Sequence, residues 1–192
     1  MGRQAVVGVL LAACASGEPE SAALKDVPGV RAVNLHGITG WMESVGPPEA
    51  VTAARALLLR WWTDTCPYCE RSLPALESLA EKYGDDGLVV VGVYHPKPRG
   101  RAFSEDDVLG IARGYGFHGP IALDPAWSLL REAWLDTGDR RATSVSLLID
   151  HTGRVRHAHP GPELHPSGDP AHAECARGFE AMEQAVADLL GV

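Results

Sequence analysis

The residues of this chain best suited to chemistry are Cys66-Pro67-Tyr68-Cys69, two thiols separated by two residues. Such a pair can close as a disulfide or open as a dithiol, and its surroundings decide how it is used. Upstream, Ala56-Leu57-Leu58-Leu59-Arg60-Trp61-Trp62 is a short, mostly apolar run ending in aromatics, the pattern of a buried central strand. Downstream, Leu73, Leu76, Leu79 and Tyr83 recur every three or four residues while Glu70, Glu77, Glu81 and Lys82 take the other faces, which predicts an amphipathic helix. The thiols therefore stand where a strand hands over to a helix. Unpaired N–H groups and the dipole at a helix start favour negative charge, so Cys66 should ionise below the pKa of about 8.5 of a free cysteine. Cys66 is placed as the nucleophile. Cys69, one turn further in, is placed to attack the Cys66 sulfur once a mixed disulfide has formed. A closed zinc site usually needs a second ligand pair, and the sequence has no second Cys-x-x-Cys.

Several residues around this pair form a wider pattern. Trp62 stands four before Cys66 and Pro74 five after Cys69. Leu88-Val89-Val90-Val91-Gly92-Val93-Tyr94 reads as a buried strand, and Leu147-Leu148-Ile149-Asp150 through Val155 as a closing hairpin. On these residues the chain, from about Ala56 to its C-terminus, resembles the thioredoxin superfamily and, within it, the membrane-anchored, redoxin-type TlpA-like thiol:disulfide oxidoreductases. The resemblance implies an α/β thioredoxin-like fold: a central mixed β-sheet with helices on both faces and a C-terminal β-hairpin plus helix. It implies catalysis by Cys66 and Cys69 without a cofactor or metal. Trp62, Pro67, Tyr68, Thr143 and Ser144 are then expected to contact substrate, a disulfide-bearing client protein, and a membrane thiol reductant or oxidant would complete the cycle. The dipeptide Pro67-Tyr68 is the one found in glutaredoxins, but the glycine-rich glutathione-binding segment of that family is not evident.

The remaining elements read consistently. Ser104 before Glu105 and Asp107 caps a helix carrying Val108, Leu109, Ile111, Ala112 and Tyr115. Ile121-Ala122-Leu123 is a short strand, after which Asp124-Pro125 opens a helix with Trp127, Leu130 and Trp134. Ser144 to Ile149 and Val155 to His159 form the hairpin. Asp169 and Pro170 start a last helix whose stripe is Phe179, Met182, Val186 and Leu189.

Departures from the family pattern carry information too. Ser144, preceded by Thr143, occupies the usual cis-proline position. A cis bond before a non-proline residue costs about 2.5–4 kcal/mol, so this peptide is expected to be trans. In the family that proline helps align substrate backbone and keep metals off the thiols, so its absence keeps a copper- or zinc-binding thioredoxin-like carrier open as an alternative. Arg60 stands where thioredoxins carry a buried acid, which leaves Glu70 as a neighbouring base. Thr63, three before Cys66, matches half of a peroxiredoxin pattern, whose proline is replaced here by Leu59; thiol peroxidase is the other alternative. His157, His159, Glu163, His165, His172 and Cys175 crowd into a short, proline-rich stretch in which metal binding is conceivable, while Cys175 alone reads as an inert thiol.

Composition bounds the rest. With 192 residues, 45% hydrophobic and 22% charged, the chain fits one globular domain rather than two or a disordered segment. Net charge is −8 and Lys and Arg are scattered, so no face suits nucleic acid. The run Gln4 to Gly17 is shorter than the roughly 18 apolar residues of a spanning helix. Arg3 followed by an apolar stretch ending Leu11-Ala12-Ala13-Cys14 reads as a secretory signal and resembles the lipobox of bacterial lipoproteins. The expected organisation is a signal over 1–13, lipidation at Cys14, a tether over 14–30 and a thioredoxin-like domain over 31–192. That makes an extracytoplasmic lipoprotein anchored on the periplasmic or cell-envelope side.

Overall fold

The computed structural model describes residues 27, 33, 40–42 and 49–192; the signal segment and Cys14 lie outside them. In chain order come α1 (Glu49–Ala53), β1 (Ala56–Trp62), α2 (Cys69–Tyr83), β2 (Leu88–Tyr94), α3 (Glu105–Gly114), β3 (Ile121–Leu123), α4 (Ser128–Ala133), β4 (Ser146–Asp150), β5 (Val155–His159) and α5 (Ala173–Leu190). Short 3-10 turns cover Leu135–Thr137 and Pro170–His172.

The strands form one mixed sheet in the order β3-β2-β1-β4-β5. β1 pairs parallel with β2, and β2 with β3; β4 runs antiparallel to β1 and to β5. Every residue of β1 is buried, because both sheet faces are covered. Strand alternation sends Ala56, Leu58, Arg60 and Trp62 to one face and Leu57, Leu59 and Trp61 to the other. On the first face lie the apolar sides of α2 and α5, with Val108 and Ala112 of α3. On the second lie Leu130 and Ala133 of α4, Val51 of α1 and Val33.

The hairpin turn is held by Asp150, whose Oδ1 accepts from the N–H of Thr152 at 2.8 Å and of Arg154 at 3.1 Å, while Oδ2 pairs with Arg156 at 2.7 Å. Gly153 closes it at φ 84°, where a Cβ would lie 2.6 Å from the Val33 carbonyl oxygen.

Three element starts and one core residue differ from the sequence reading. The helix expected from Asp124-Pro125 begins at Ser128, since Trp127 sits in the left-handed region at φ 59° and Asp124 caps from outside, accepting from the N–H of Leu129 at 3.2 Å and Leu130 at 2.8 Å. β4 starts at Ser146 rather than Ser144, whose side chain turns to Cys66 instead. Asp169 does cap, accepting from Ala171 N–H at 2.9 Å, but it opens a 3-10 turn before α5 begins. Leu190, rather than Leu189, completes the buried stripe of α5.

Candidate active site

The segment between β1 and α2 brings Cys66 to the surface and Cys69 beneath it. Cys66 N–H bonds to Thr63 O at 3.2 Å and Cys69 N–H to Cys66 O at 3.1 Å, so the backbone turns tightly between the thiols. Both are free, Cys66 half-buried and Cys69 fully enclosed. The Cys66 sulfur accepts from the Cys69 thiol, from the N–H groups of Tyr68 and Cys69, and from the Ser144 hydroxyl. Together these outweigh desolvation and draw its pKa down to about 5. Cys69 moves the opposite way: donating to the Cys66 thiolate, and burial, both hold its proton on. One thiol is an anion at neutral pH and the other a protonated donor.

Arg60 lies beneath the pair, on the β1 face towards α2, with no exposed surface. Burial pulls its pKa down, opposed by the charges that Cys69 and Cys66 can carry. Its Nη1 donates to the Ser146 hydroxyl at 3.2 Å and the Gly161 carbonyl at 3.2 Å, and more distantly to Ser144 O at 3.4 Å; Nη2 donates to Pro162 O. Nε has no hydrogen-bond partner among the described residues. Arg60, noted in the sequence reading where thioredoxins carry a buried acid, is thus a buried basic side chain beneath the thiols. Glu70, the neighbouring base that reading offered, is exposed. Asp64, in the loop that leads to Cys66, accepts from the Thr63 hydroxyl at 3.1 Å, Tyr94 at 3.2 Å and Arg101 at 2.6 Å. These bonds overcome desolvation and lower its pKa. The Thr63 hydroxyl is committed to Asp64, which leaves the half-match to a peroxidatic pattern without the thiol contact it would need.

A groove of about 380 Å³ runs past Cys66, bordered by Pro67, Tyr68, Thr143 and Ser144, with Lys97 and Arg141 on its rim. Tyr68 is 44% exposed. Among the described residues the cis peptide is Lys97-Pro98, so Thr143-Ser144 is trans, and Ser144 turns its hydroxyl to the Cys66 sulfur. Trp62 is a correction. Expected on the rim, it is wholly buried, because its place in β1 points the indole into the core, edge-on to Tyr94 at 5.3 Å and across Gly92.

A family model described as Redoxin matches residues 43–174. The chain belongs to the Redoxin family. Similar curated proteins include Protein DipZ of Mycobacterium tuberculosis, 33% identical over 133 residues, or 66% of this chain and 18% of that one. Thiol-disulfide oxidoreductase ResA of Halalkalibacterium halodurans is 26% identical over 107 residues, 56% of this chain and 54% of that one. The Redoxin chain thus spans about a fifth of DipZ and about half of ResA. A solved thioredoxin-like protein in its oxidised form superposes with a TM-score of 0.58 at 21% identity, covering 86% of this chain and 98% of that one. The fold is thioredoxin-like.

Sequence reasoning missed two features of this Redoxin site. Arg60 was visible as a departure, but the loops it binds were not, since three of its acceptors are backbone carbonyls. His95, directly after β2, is wholly buried with neither ring nitrogen hydrogen-bonded among the described residues, and burial pushes its pKa down to about 3. Of the C-terminal histidines, His159 points its Nε2 at the Glu163 carbonyl, 3.0 Å away, whereas His165 and His172 come together with Glu163 and Cys175.

Proposed function

We propose that this protein is a thiol:disulfide oxidoreductase acting on disulfide-bearing client proteins outside the cytoplasm, with Cys66 as nucleophile and Cys69 as resolving thiol. The opposed ionisation of the two thiols carries the reading. The Cys66 thiolate attacks one sulfur of a client disulfide, forming a mixed disulfide and expelling a client thiolate. That step consumes the anion that held the Cys69 proton in place. What remains beside Cys69 is the Arg60 charge, which lowers its pKa. Cys69 then gives its proton to the departing thiolate or to water and attacks the Cys66 sulfur. The second client thiol leaves, two electrons pass to the client, and the protein holds a Cys66–Cys69 disulfide. In reverse the same steps oxidise a dithiol. Pro67, Tyr68, Thr143 and Ser144 form the surface against which the client chain lies.

Names of relatives that denote thiol-disulfide exchange support this activity. The sequence signature at Cys14 supports a lipid anchor and a membrane thiol reductant or oxidant as redox partner. No described helix is long and apolar enough to cross a membrane. The test is reduction of insulin disulfides under dithiothreitol. Activity is expected to vanish in Cys66→Ser, and Cys69→Ser should accumulate a mixed disulfide with its client. Undiminished insulin reduction by Cys66→Ser would rule out the assignment.

A further inference from the structure

Besides the redox pair, the connection from β5 to α5 folds four metal-binding side chains together. Glu163 and His165 flank the buried Leu164 in this irregular connection. His172 ends the 3-10 turn and Cys175 lies one turn on, in the first turn of α5. One donor atom from each lies within 4.8 Å of all the others. His165 Nε2 is 3.1 Å and His172 Nδ1 3.7 Å from Glu163 Oε1, and Cys175 Sγ is 3.9 Å from His172 Nδ1. A tetrahedral zinc ion bound at about 2.0–2.3 Å sets its donors about 3.3–3.8 Å apart. The cluster is therefore within small side-chain movements of a coordination shell.

The orientation of His165 is the second observation. This residue is only 8% exposed. Its Nδ1 faces the Pro166 carbonyl at 2.9 Å, a group that can only accept, so Nδ1 carries the proton. With Nδ1 held there, Nε2 is turned into the cluster, 3.1 Å from Glu163 Oε1. A backbone carbonyl that fixes the tautomer in this way is the usual support of a metal-bound histidine. The connection is also anchored without metal: Leu164 N–H bonds to Ser72 Oγ at 3.0 Å, and Arg60 holds the carbonyls of Gly161 and Pro162. Arg71 reaches Glu163 Oε1 at 2.8 Å from a side chain that is 56% exposed, and can yield its place.

We propose that Glu163, His165, His172 and Cys175 form a four-coordinate site for a zinc-type divalent cation, separate from Cys66 and Cys69. Two imidazoles, a thiolate and a carboxylate suit a borderline metal rather than calcium or magnesium. Zinc displaces the Cys175 proton to solvent, and the two anionic ligands neutralise its charge. Bound there, the ion clips the β5–α5 connection to the start of α5.

The test is zinc titration by equilibrium dialysis, with cobalt(II) substitution as a spectroscopic readout. One equivalent should bind to the intact chain and to Cys66→Ser/Cys69→Ser alike. Cobalt should give tetrahedral d–d bands with a thiolate charge-transfer band. Affinity should fall at least about tenfold in His172→Ala and in Cys175→Ser, each checked for folding by circular dichroism, and the charge-transfer band should be lost in Cys175→Ser. Lack of binding to the intact chain, or binding that disappears with Cys66 and Cys69 instead, overturns the site. Neither outcome touches the insulin assay, which reads the redox pair.

Discussion

With a folded-state pKa of about 5 against an ordinary 9.0, Cys66 spends most of the working pH range as thiolate. Alkylation of reduced protein by iodoacetamide should therefore rise through a midpoint near pH 5, and Cys69→Ala, which removes the main hydrogen bond to that sulfur, should shift the midpoint upward. Because the folded value is the depressed one, the unfolded chain holds more protons between pH 5 and 9. Stability of the reduced form relative to the disulfide form should thus grow with pH across that window and fade as pH drops through 5; denaturant melts of the two forms would measure it. A flat difference would contradict the assignment. Arg60 acts on the same equilibrium. Its charge favours the Cys66 thiolate, which stabilises the reduced state, so Arg60→Met should make the reduction potential more negative, by about 30 mV for each unit by which the Cys66 pKa rises. Redox titration against glutathione buffers measures this shift, and an unchanged potential would remove Arg60 from the mechanism.

At the level of elements, α4 depends on an acid outside it. Asp124 accepts from the N–H groups of Leu129 and Leu130 and from Trp61 Nε1 at 3.2 Å, tying the helix start to the far face of β1. Asp124→Ala should lower stability by about 1–3 kcal/mol in urea melts, with the midpoint shifting and the slope unchanged. The sequence showed that a helix follows Asp124 but placed its start too early, since a left-handed Trp127 leaves no pattern in the chain. Elements whose signal is local were legible: the apolar run of β1, the stripe of α2, the Ser104 cap and the Asp150 turn. Cys66 and Cys69 were legible for the same reason, their spacing and junction being written consecutively. What stayed hidden depends on residues far apart in the chain. Trp62 was misplaced because strand parity, rather than proximity to Cys66, decides which way it faces. The meeting of Glu163 and His165 with His172 and Cys175 requires the fold of an irregular connection, which proline-rich sequence does not specify.

Across the whole molecule, charge is unevenly used. The chain carries a net −8, yet the groove at Cys66 has Lys97 and Arg141 on its rim. Clients with acidic residues beside the disulfide should be reduced faster at low salt. That advantage over neutral peptides should shrink several-fold as ionic strength approaches 0.1 M, where screening acts over about 10 Å. Stopped-flow rates with paired peptides would show it, and equal salt dependence for both would refute it. Arg60 adds a consequence for how such a protein can diversify. Its guanidinium bonds the carbonyls of Ser144 on one loop and of Gly161 and Pro162 on another. Ser144 and Pro162 both border the groove beside Cys66. A lineage that altered this residue to retune its electron affinity would remould the groove beside Cys66 in the same step, so oxidising strength and the shape of that groove are inherited as one trait.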